Sequence, residues 1–176
     1  MTRIPQVAII GGNEKISTAE DIEIAKKVGQ ILIDLNCRIF NGGFGGVMEA
    51  SCIGAKKSKN YRDGMIVAII PDYNTNKANK LNDIVISTGM GFSRNQILIS
   101  SCDLIIAIGG GAGTLNELTF AWQLVKKIFA FETSGWSKKL AGKFIDSRLK
   151  NPIIALKSIS DFKKHLDVFL VEFNKL

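Results

Sequence analysis

The amino-acid sequence predicts an α/β fold, a doubly wound Rossmann-like parallel sheet of about seven strands with helices on both faces. Short apolar runs alternate with longer amphipathic segments, which is typical of strands joined by crossover helices. Three of the short runs end in glycine-rich turns, where sheets of this class bind their ligands. The 176 residues are too few for an eight-fold barrel of about 250 residues, and no internal repeat is present.

The predicted strands are short runs rich in Val, Ile and Leu, as expected for strands that are buried on both faces. In chain order they are Val7 to Ile10, Arg38 to Asn41, Met65 to Ile70, Ile84 to Ser87, Leu104 to Ile108, Ile128 to Phe131 and Pro152 to Leu156. The predicted helices are longer segments with apolar residues on one face. In chain order they are Thr18 to Leu35, Gly46 to Lys57, Arg94 to Ser101, Leu115 to Lys127, Ser137 to Asp146 and Ser160 to Asn174. Ser17 or Thr18 can cap the first helix.

Length and composition predict one domain, residues 1–176, in the cytoplasm. Hydrophobic residues make up 46% of the chain, which is enough for one sizeable core. A strand-like run begins at Val7 with no export signal before it, and no apolar run reaches the roughly 18 residues of a membrane span. Cys37, Cys52 and Cys102 are widely spaced in apolar surroundings, so we expect reduced core thiols. Because no cluster of ligating residues is evident, we expect no metal site.

The formal net charge of +7 is compatible with a phosphate-bearing ligand. The lysines are scattered over several predicted helices, and few aromatic residues are placed to stack on bases. We therefore expect a small-molecule partner, whereas nucleic-acid and membrane partners are disfavoured.

Glycines follow three predicted strands, and we expect these three turns to meet in space. The carboxyl ends of parallel strands lie at one edge of a sheet, and ligands bind there where the crossovers leave opposite faces. The glycines expected to contact a nucleotide or phosphate are Gly11, Gly12, Gly42, Gly43, Gly45, Gly110, Gly111 and Gly113.

The strongest motif runs from Gly109 to Glu117 (GGGAGTLNE) and lies between a buried strand and a helix. Glycine lets the backbone approach a ligand closely, and a helix start presents free N–H groups at the positive end of its dipole. This arrangement fits a phosphate. Thr114 either caps the helix or donates its hydroxyl to the phosphate. Glu117 either completes a capping box with Thr114 or acts as general base or charge stabiliser beside a bound sugar.

A second segment joins the fourth strand to a helix and contains Arg94, the one arginine near a candidate site. An arginine fork pairs well with phosphate or with the polar edge of a base, although an arginine at a helix start is commonly a surface residue. We expect the neighbouring Asn95 to contact the same ligand.

Gly110 to Thr114, followed by Glu117, resembles the signature of the LOG (Lonely Guy) family. Arg94 precedes Glu117 by 23 positions, which is the separation of that family's arginine and glutamate. Val7 to Gly12 and Asn41 to Ala50 (NGGFGGVMEA) also resemble segments of the family. The resemblance extends over residues 4–131.

This resemblance implies a phosphoribohydrolase that splits a cytokinin riboside 5′-monophosphate into the free base and ribose 5-phosphate. Arg94 and Glu117 are then catalytic, and the glycine loop with Thr114 holds the 5′-phosphate. Cleavage of the N-glycosidic bond develops positive charge on the ribose, which a carboxylate stabilises. The resemblance also implies that no cofactor is required and that the chain forms a homodimer.

Two departures from the LOG pattern indicate a sister group. Gly109 stands where the LOG motif opens with proline, and Ser93-Arg94-Asn95 stands where the family has Glu-Arg-Lys. These features resemble molybdenum cofactor carrier proteins, in the superfamily shared with DNA-processing protein A. Such carriers hold a phosphate-bearing pterin without turning it over. Two alternatives therefore stay open: a hydrolase, and a non-catalytic carrier or sensor of a nucleotide or of molybdenum cofactor.

Overall fold

Seven strands pair in parallel within one sheet in the computed structural model, which describes residues 3–175. The strand order is β4-β3-β2-β1-β5-β6-β7. The strands are β1 (Gln6–Gly11), β2 (Arg38–Asn41), β3 (Ile66–Ile70), β4 (Ile84–Ser87), β5 (Leu104–Ile108), β6 (Lys127–Phe131) and β7 (Ile154–Leu156). The helices are α1 (Ala19–Asp34), α2 (Val47–Ala55), α3 (Arg94–Ser100), α4 (Ala112–Gln123), α5 (Gly135–Leu140) and α6 (Ile159–Phe173). The predicted doubly wound fold is confirmed.

Hydrophobic layers cover both faces of the sheet. Successive strand residues point to opposite faces, so Val7 and Ile9 pack with α1, α2 and α6, whereas Ala8 and Ile10 pack with α3 and α4. Every residue of β3 and β5 is buried. Because both faces of these strands are covered, their sequences are continuous apolar runs.

The crossover connections change face between β1 and β5. β1 pairs with β2 on one side and with β5 on the other, and Gly11 lies opposite Ile108. α1, which follows β1, and α4, which follows β5, pack on opposite faces. A crevice therefore opens at the carboxyl ends of these strands. The glycine-rich turns after β1, β2 and β5 are neighbours there, as the sequence predicts.

The first helix confirms one of the two expected caps. The hydroxyl of Thr18 accepts from the backbone N–H of Asp21 at 3.1 Å, and the Asp21 carboxylate accepts from the backbone N–H of Thr18 at 2.9 Å. This reciprocal capping box satisfies two N–H groups that the helix cannot pair internally.

The predicted starts and ends of α4 and α5 are wrong. α4 begins at Ala112 and not at Leu115, and Gly111 occupies the N-cap position without a side-chain hydrogen bond. Thr114 therefore lies in the first turn and is not the cap. α5 ends at Leu140 because the next residue is extended and Gly142 adopts a left-handed conformation, with φ 72°.

The three cysteines are buried and unpaired, which confirms the expectation of core thiols. Burial raises the pKa of both Cys37 and Cys52 to about 12 and raises that of Cys102 as well. These thiols therefore stay protonated at neutral pH. Over residues 3–175, no helix combines the length and the apolar character needed to cross a membrane.

α4 ends in a Schellman motif that is occupied by an unfavourable residue. Lys126 N–H donates to the Ala121 carbonyl at 2.9 Å, and Val125 N–H donates to the Trp122 carbonyl at 3.1 Å. The left-handed position of the motif is held by Val125, with φ 56°. Glycine or asparagine is usual there, because a branched side chain crowds the backbone. Val125 is also 65% exposed, so little burial offsets the strain.

We expect Val125→Gly to raise the free energy of unfolding by about 1 kcal/mol, since glycine adopts the left-handed conformation without strain. Urea unfolding measures the change. Asn36→Gly is the matched control, because Asn36 has the same φ of 56° at the end of α1 and asparagine tolerates it. Equal gains in the two variants, or a loss in Val125→Gly, would contradict the assignment of strain to the valine.

Candidate functional site

A cavity of about 360 Å³ opens at the crevice between β1 and β5. Its volume lies in the range of roughly 300–1,000 Å³ that is usual for small-molecule sites. It brings together eight of the twelve residues predicted from the sequence. They are Gly11, Gly42, Arg94, Asn95, Gly111, Gly113, Thr114 and Glu117.

The N-terminus of α4 forms one wall of this cavity. Leu115 is the first residue of the helix whose N–H reaches a carbonyl, that of Gly111 at 3.0 Å. The N–H groups of Ala112, Gly113 and Thr114 precede it and have no acceptor within the helix. All three residues line the cavity. The positive end of the helix dipole and these donors favour an anion at this position.

Arg94 and Glu117 form a buried ion pair inside the cavity. Arg94 Nη1 donates to Glu117 Oε1 at 3.3 Å, and the two residues are 8% and 7% exposed. Glu117 therefore pairs with the arginine and not with Thr114 in a capping box. Gly42 admits the guanidinium, because a Cβ on this glycine would lie 2.5 Å from Arg94 Nη2. The observed position of the Arg94 guanidinium therefore requires a glycine at position 42.

Burial governs the protonation of the pair. Desolvation raises the pKa of Glu117 to about 7, against the opposing effect of the Arg94 charge. Desolvation also lowers the pKa of Arg94, although Glu117 partly compensates. The carboxyl group of Glu117 thus exchanges its proton near neutral pH, as a general acid or base requires.

We expect Glu117 to make the stability of the protein fall as the pH rises. Its pKa is higher in the folded chain than the ordinary 4.5, so the folded state binds more protons between pH 4.5 and about 7. The free energy of unfolding should decrease across this window, by up to about 3 kcal/mol. Urea unfolding at about pH 5 and about pH 8, for the wild type and Glu117→Gln, isolates this contribution. A pH dependence that is identical in both proteins would rule it out.

Asn95 is held in a defined orientation at the cavity wall. It is 2% exposed, and its Nδ2 donates to Asn116 Oδ1 at 2.8 Å. The hydrogen bond links the first turn of α3 to the second turn of α4. This hydrogen bond fixes the plane of the Asn95 amide and leaves its oxygen available as an acceptor.

The remaining four predicted glycines do not line this cavity. Gly12 accepts the N–H of Val47 at 2.9 Å and so joins the turn after β1 to α2. Gly43 accepts the N–H of Asn79 at 2.7 Å. Gly45 lines an adjoining cavity of about 440 Å³. Gly110 belongs to the glycine loop, and its carbonyl accepts the N–H of Trp136 at 3.0 Å.

Hydrogen bonds to the segment after β6 hold the glycine loop in place. Ser137 Oγ accepts the N–H of Gly109 at 2.7 Å, and the Gly109 carbonyl accepts the N–H of Ser137 at 3.1 Å. Ser134 Oγ donates to the fully buried Asp21 at 2.7 Å. Asp21 thus completes the capping box of α1 and also holds the segment that contacts the glycine loop. Sequence analysis missed this network, because serines and aspartates distant in the chain carry no signal of their contact.

Apolar side chains that sequence analysis missed also line the cavity. Ile16, Phe44, Met48 and Phe92 all contribute to its wall. A signal was available, because each of these residues lies within or beside a glycine-rich segment. Phe92 is 86% exposed, so it stands at the mouth of the cavity.

A parallel doubly wound sheet, with a glycine-capped helix N-terminus at its topological switch point, defines this chain as a Rossmann-like α/β protein. The chain belongs to the SLOG cluster4 family, whose sequence profile matches residues 4–161.

Three similar proteins accompany this family assignment. An uncharacterized protein of Archaeoglobus fulgidus is 38% identical over 126 residues, which is 72% of this chain and 79% of that protein. The molybdenum cofactor binding protein of Rippkaea orientalis is 28% identical, with a TM-score of 0.81 over 97% of this chain and 99% of that one. The molybdenum cofactor carrier protein of Chlamydomonas reinhardtii is 21% identical, with a TM-score of 0.79 over 95% and 99% of the two chains, and shows the shared fold. The resemblance to LOG-like and carrier proteins is confirmed.

Proposed function

We propose that the cavity binds a nucleotide or a similar phosphate-bearing ligand, with its phosphate at the N-terminus of α4. The free N–H groups of Ala112, Gly113 and Thr114 support this position for the phosphate. The sugar then lies over Arg94 and Glu117, which line the same cavity.

We further propose that the protein is a nucleoside 5′-monophosphate phosphoribohydrolase. The observation that carries this proposal is the buried carboxyl group of Glu117, whose pKa of about 7 suits proton transfer at neutral pH. Water attacks C1′ of the ribose and loses a proton to Glu117, while the bond from C1′ to the base breaks. The departing base takes up a proton from solvent, and Glu117 then releases its proton to solvent. Arg94 orients the carboxylate by the 3.3 Å contact between Nη1 and Oε1. The products are the free base and ribose 5-phosphate.

Incubation with AMP and a panel of other nucleoside monophosphates tests this proposal, with free base followed by chromatography. We expect base release from at least one monophosphate and none from the matching nucleoside, because the phosphate anchors the substrate. Release from nucleoside and monophosphate alike would contradict the placement of the phosphate. No release from the whole panel would contradict hydrolysis.

The second candidate is a carrier or sensor that holds a nucleotide or molybdenum cofactor without cleaving it. The observation that favours it is the likeness to the Rippkaea orientalis binding protein over nearly the full length of both chains. In that case nucleoside monophosphates or the cofactor should raise the melting temperature without any product. A melting temperature that no phosphate ligand changes would contradict both candidates.

From length and composition, we propose one domain over residues 1–176 that acts in the cytoplasm. On the resemblance, we propose that it forms a homodimer and needs no cofactor. Exposed apolar side chains on β4 and in the loop after it support a contact between subunits. They are Ile84, Ile86, Met90 and Phe92. Light scattering coupled to size-exclusion chromatography tests the dimer, which a monomeric mass would contradict.

A nucleic-acid partner stays disfavoured, and salt-sensitive binding of a labelled oligonucleotide would overturn that view.

A further inference from the structure

A second and larger cavity, of about 670 Å³, lies at the opposite edge of the sheet. It is lined by the amino ends of β6 and β7, by the C-terminal end of α4 and by residues 148–153. The carboxyl-edge cavity described above shares no lining residue with it. It is therefore separate from the proposed nucleotide site.

The floor of this amino-edge cavity is apolar. Trp122, Ile128 and Ile153 line it and are between 1% and 4% exposed. Trp122 Nε1 donates to Asp146 Oδ1 at 2.7 Å, so the one polar atom of the indole is already satisfied. These three side chains lie beneath the surface, and the apolar wall that a ligand can contact is formed by Val125, Leu149 and Pro152. A ligand that fills this space needs an apolar body.

Cationic side chains line the same cavity, and none of its described lining residues is acidic. The cationic residues are Lys126, Lys127, Arg148 and Lys150. Lys126 Nζ donates to the carbonyls of Ser100 and Cys102, and Lys127 forms an ion pair with Glu172.

Arg148 and Lys150 are the cations most available to a ligand. Both are exposed. The contact of Arg148 with Asp146 is long, at 3.6 Å, and Lys150 has no ion pair within residues 3–175. Charge complementarity therefore favours an anionic head group at the rim.

The backbone at the rim favours a singly charged head group. The N–H groups of Val125 and Lys126 are consumed by the Schellman motif, so this end of α4 offers no free donors like those at its other end. The negative end of the helix dipole also repels any anion, and it repels a doubly charged phosphate more strongly than a singly charged carboxylate. Val125 itself lines the cavity in its strained left-handed conformation, and backbone strain of this kind concentrates at functional sites.

We propose that the amino-edge cavity binds a small amphipathic carboxylate, with its apolar body against Val125, Leu149 and Pro152, above the buried Trp122, and its head group between Arg148 and Lys150.

Decanoate is a suitable probe, and tryptophan fluorescence is a suitable measurement. The chain has two tryptophans, so Trp136→Phe leaves Trp122 as the only reporter. We expect decanoate, below its micelle concentration, to change the Trp122 emission in a saturable way. Excess AMP should not alter this binding, because the nucleotide cavity is at the other edge. Failure here leaves the proposed nucleotide function untouched.

Charge reversal supplies the matched control. Arg148→Glu with Lys150→Glu should weaken decanoate binding by about tenfold or more, since two rim cations become anions. Lys163→Glu with Lys164→Glu makes the same change of net charge on exposed residues of α6 and should have little effect. No saturable change, equal effects of the two double variants, or equal affinity for decanol and decanoate would overturn the proposal.

Discussion

Replacing Glu117 by glutamine is expected to reduce base release from a nucleoside monophosphate by about a thousandfold or more. General acid–base catalysis contributes roughly a hundredfold to ten-thousandfold, and this carboxyl group is the general base in the proposed mechanism. Glutamine keeps the shape of the side chain and its acceptor for Arg94 but cannot take up the proton. We therefore expect AMP still to raise the melting temperature of the variant. Chromatography of free base and a thermal melt measure the two effects.

Glu132→Gln is the control, because Glu132 is exposed and lies outside the cavity. It removes the same charge and should leave base release unchanged. If Glu117→Gln released base at the wild-type rate, Glu117 would not be catalytic. A variant that melts far below the wild type would instead report the loss of a buried ion pair. AMP binding then separates the two causes of lost activity: retained binding indicates lost catalysis, and lost binding indicates a damaged fold.

The same change, glycine to alanine, should have opposite effects at two positions of the glycine loop. A Cβ on Gly113 meets no atom within 4 Å and extends into open space beside the cavities that this residue lines. Gly113→Ala should therefore raise the free energy of unfolding by about 0.5 kcal/mol while it weakens AMP binding by about tenfold or more. A Cβ on Gly110 would lie 2.2 Å from Thr114 Oγ1, at a φ of 95°. Gly110→Ala should lower the free energy of unfolding by about 3 kcal/mol.

Urea unfolding and AMP titration of both variants measure this contrast. Each variant is the control for the other, since both add one methyl group within four residues of chain. Unaltered AMP affinity in Gly113→Ala would show that the phosphate lies elsewhere. Unaltered stability in Gly110→Ala would show that the left-handed conformation at Gly110 is not required.

The two candidate functions differ in what they require of Glu117. A hydrolase needs its proton transfer, whereas a carrier needs only its shape and the orientation of Arg94. The loss of activity in Glu117→Gln is therefore expected only for the hydrolase. Ligand binding that depends on Gly113 is expected for both, since both hold a phosphate at the start of α4.

Local patterns predicted the sheet and half of the residues that line the cavity. β3 and β5 were recognisable because both of their faces are covered, which makes their sequences continuously apolar. Gly111 and Gly113 were recognisable because a loop of glycines before a helix is a local anion-binding pattern. The boundaries of α4 were not, since Gly111 occupies the N-cap position where a polar side chain was expected, and a valine occupies the left-handed position at its end.

The sequence by itself therefore determined the fold class, the edge of the sheet at which the three glycine turns meet, and the identity of Arg94 and Glu117 as candidates. Periodicity and backbone freedom are local properties, and they can be read without a structure. Only the tertiary structure decided that Glu117 pairs with Arg94, that its pKa rises to about 7, and that Asp21 and Ser137 brace the loop. Burial and contact between distant residues arise from packing, because desolvation depends on every chain segment that surrounds a group.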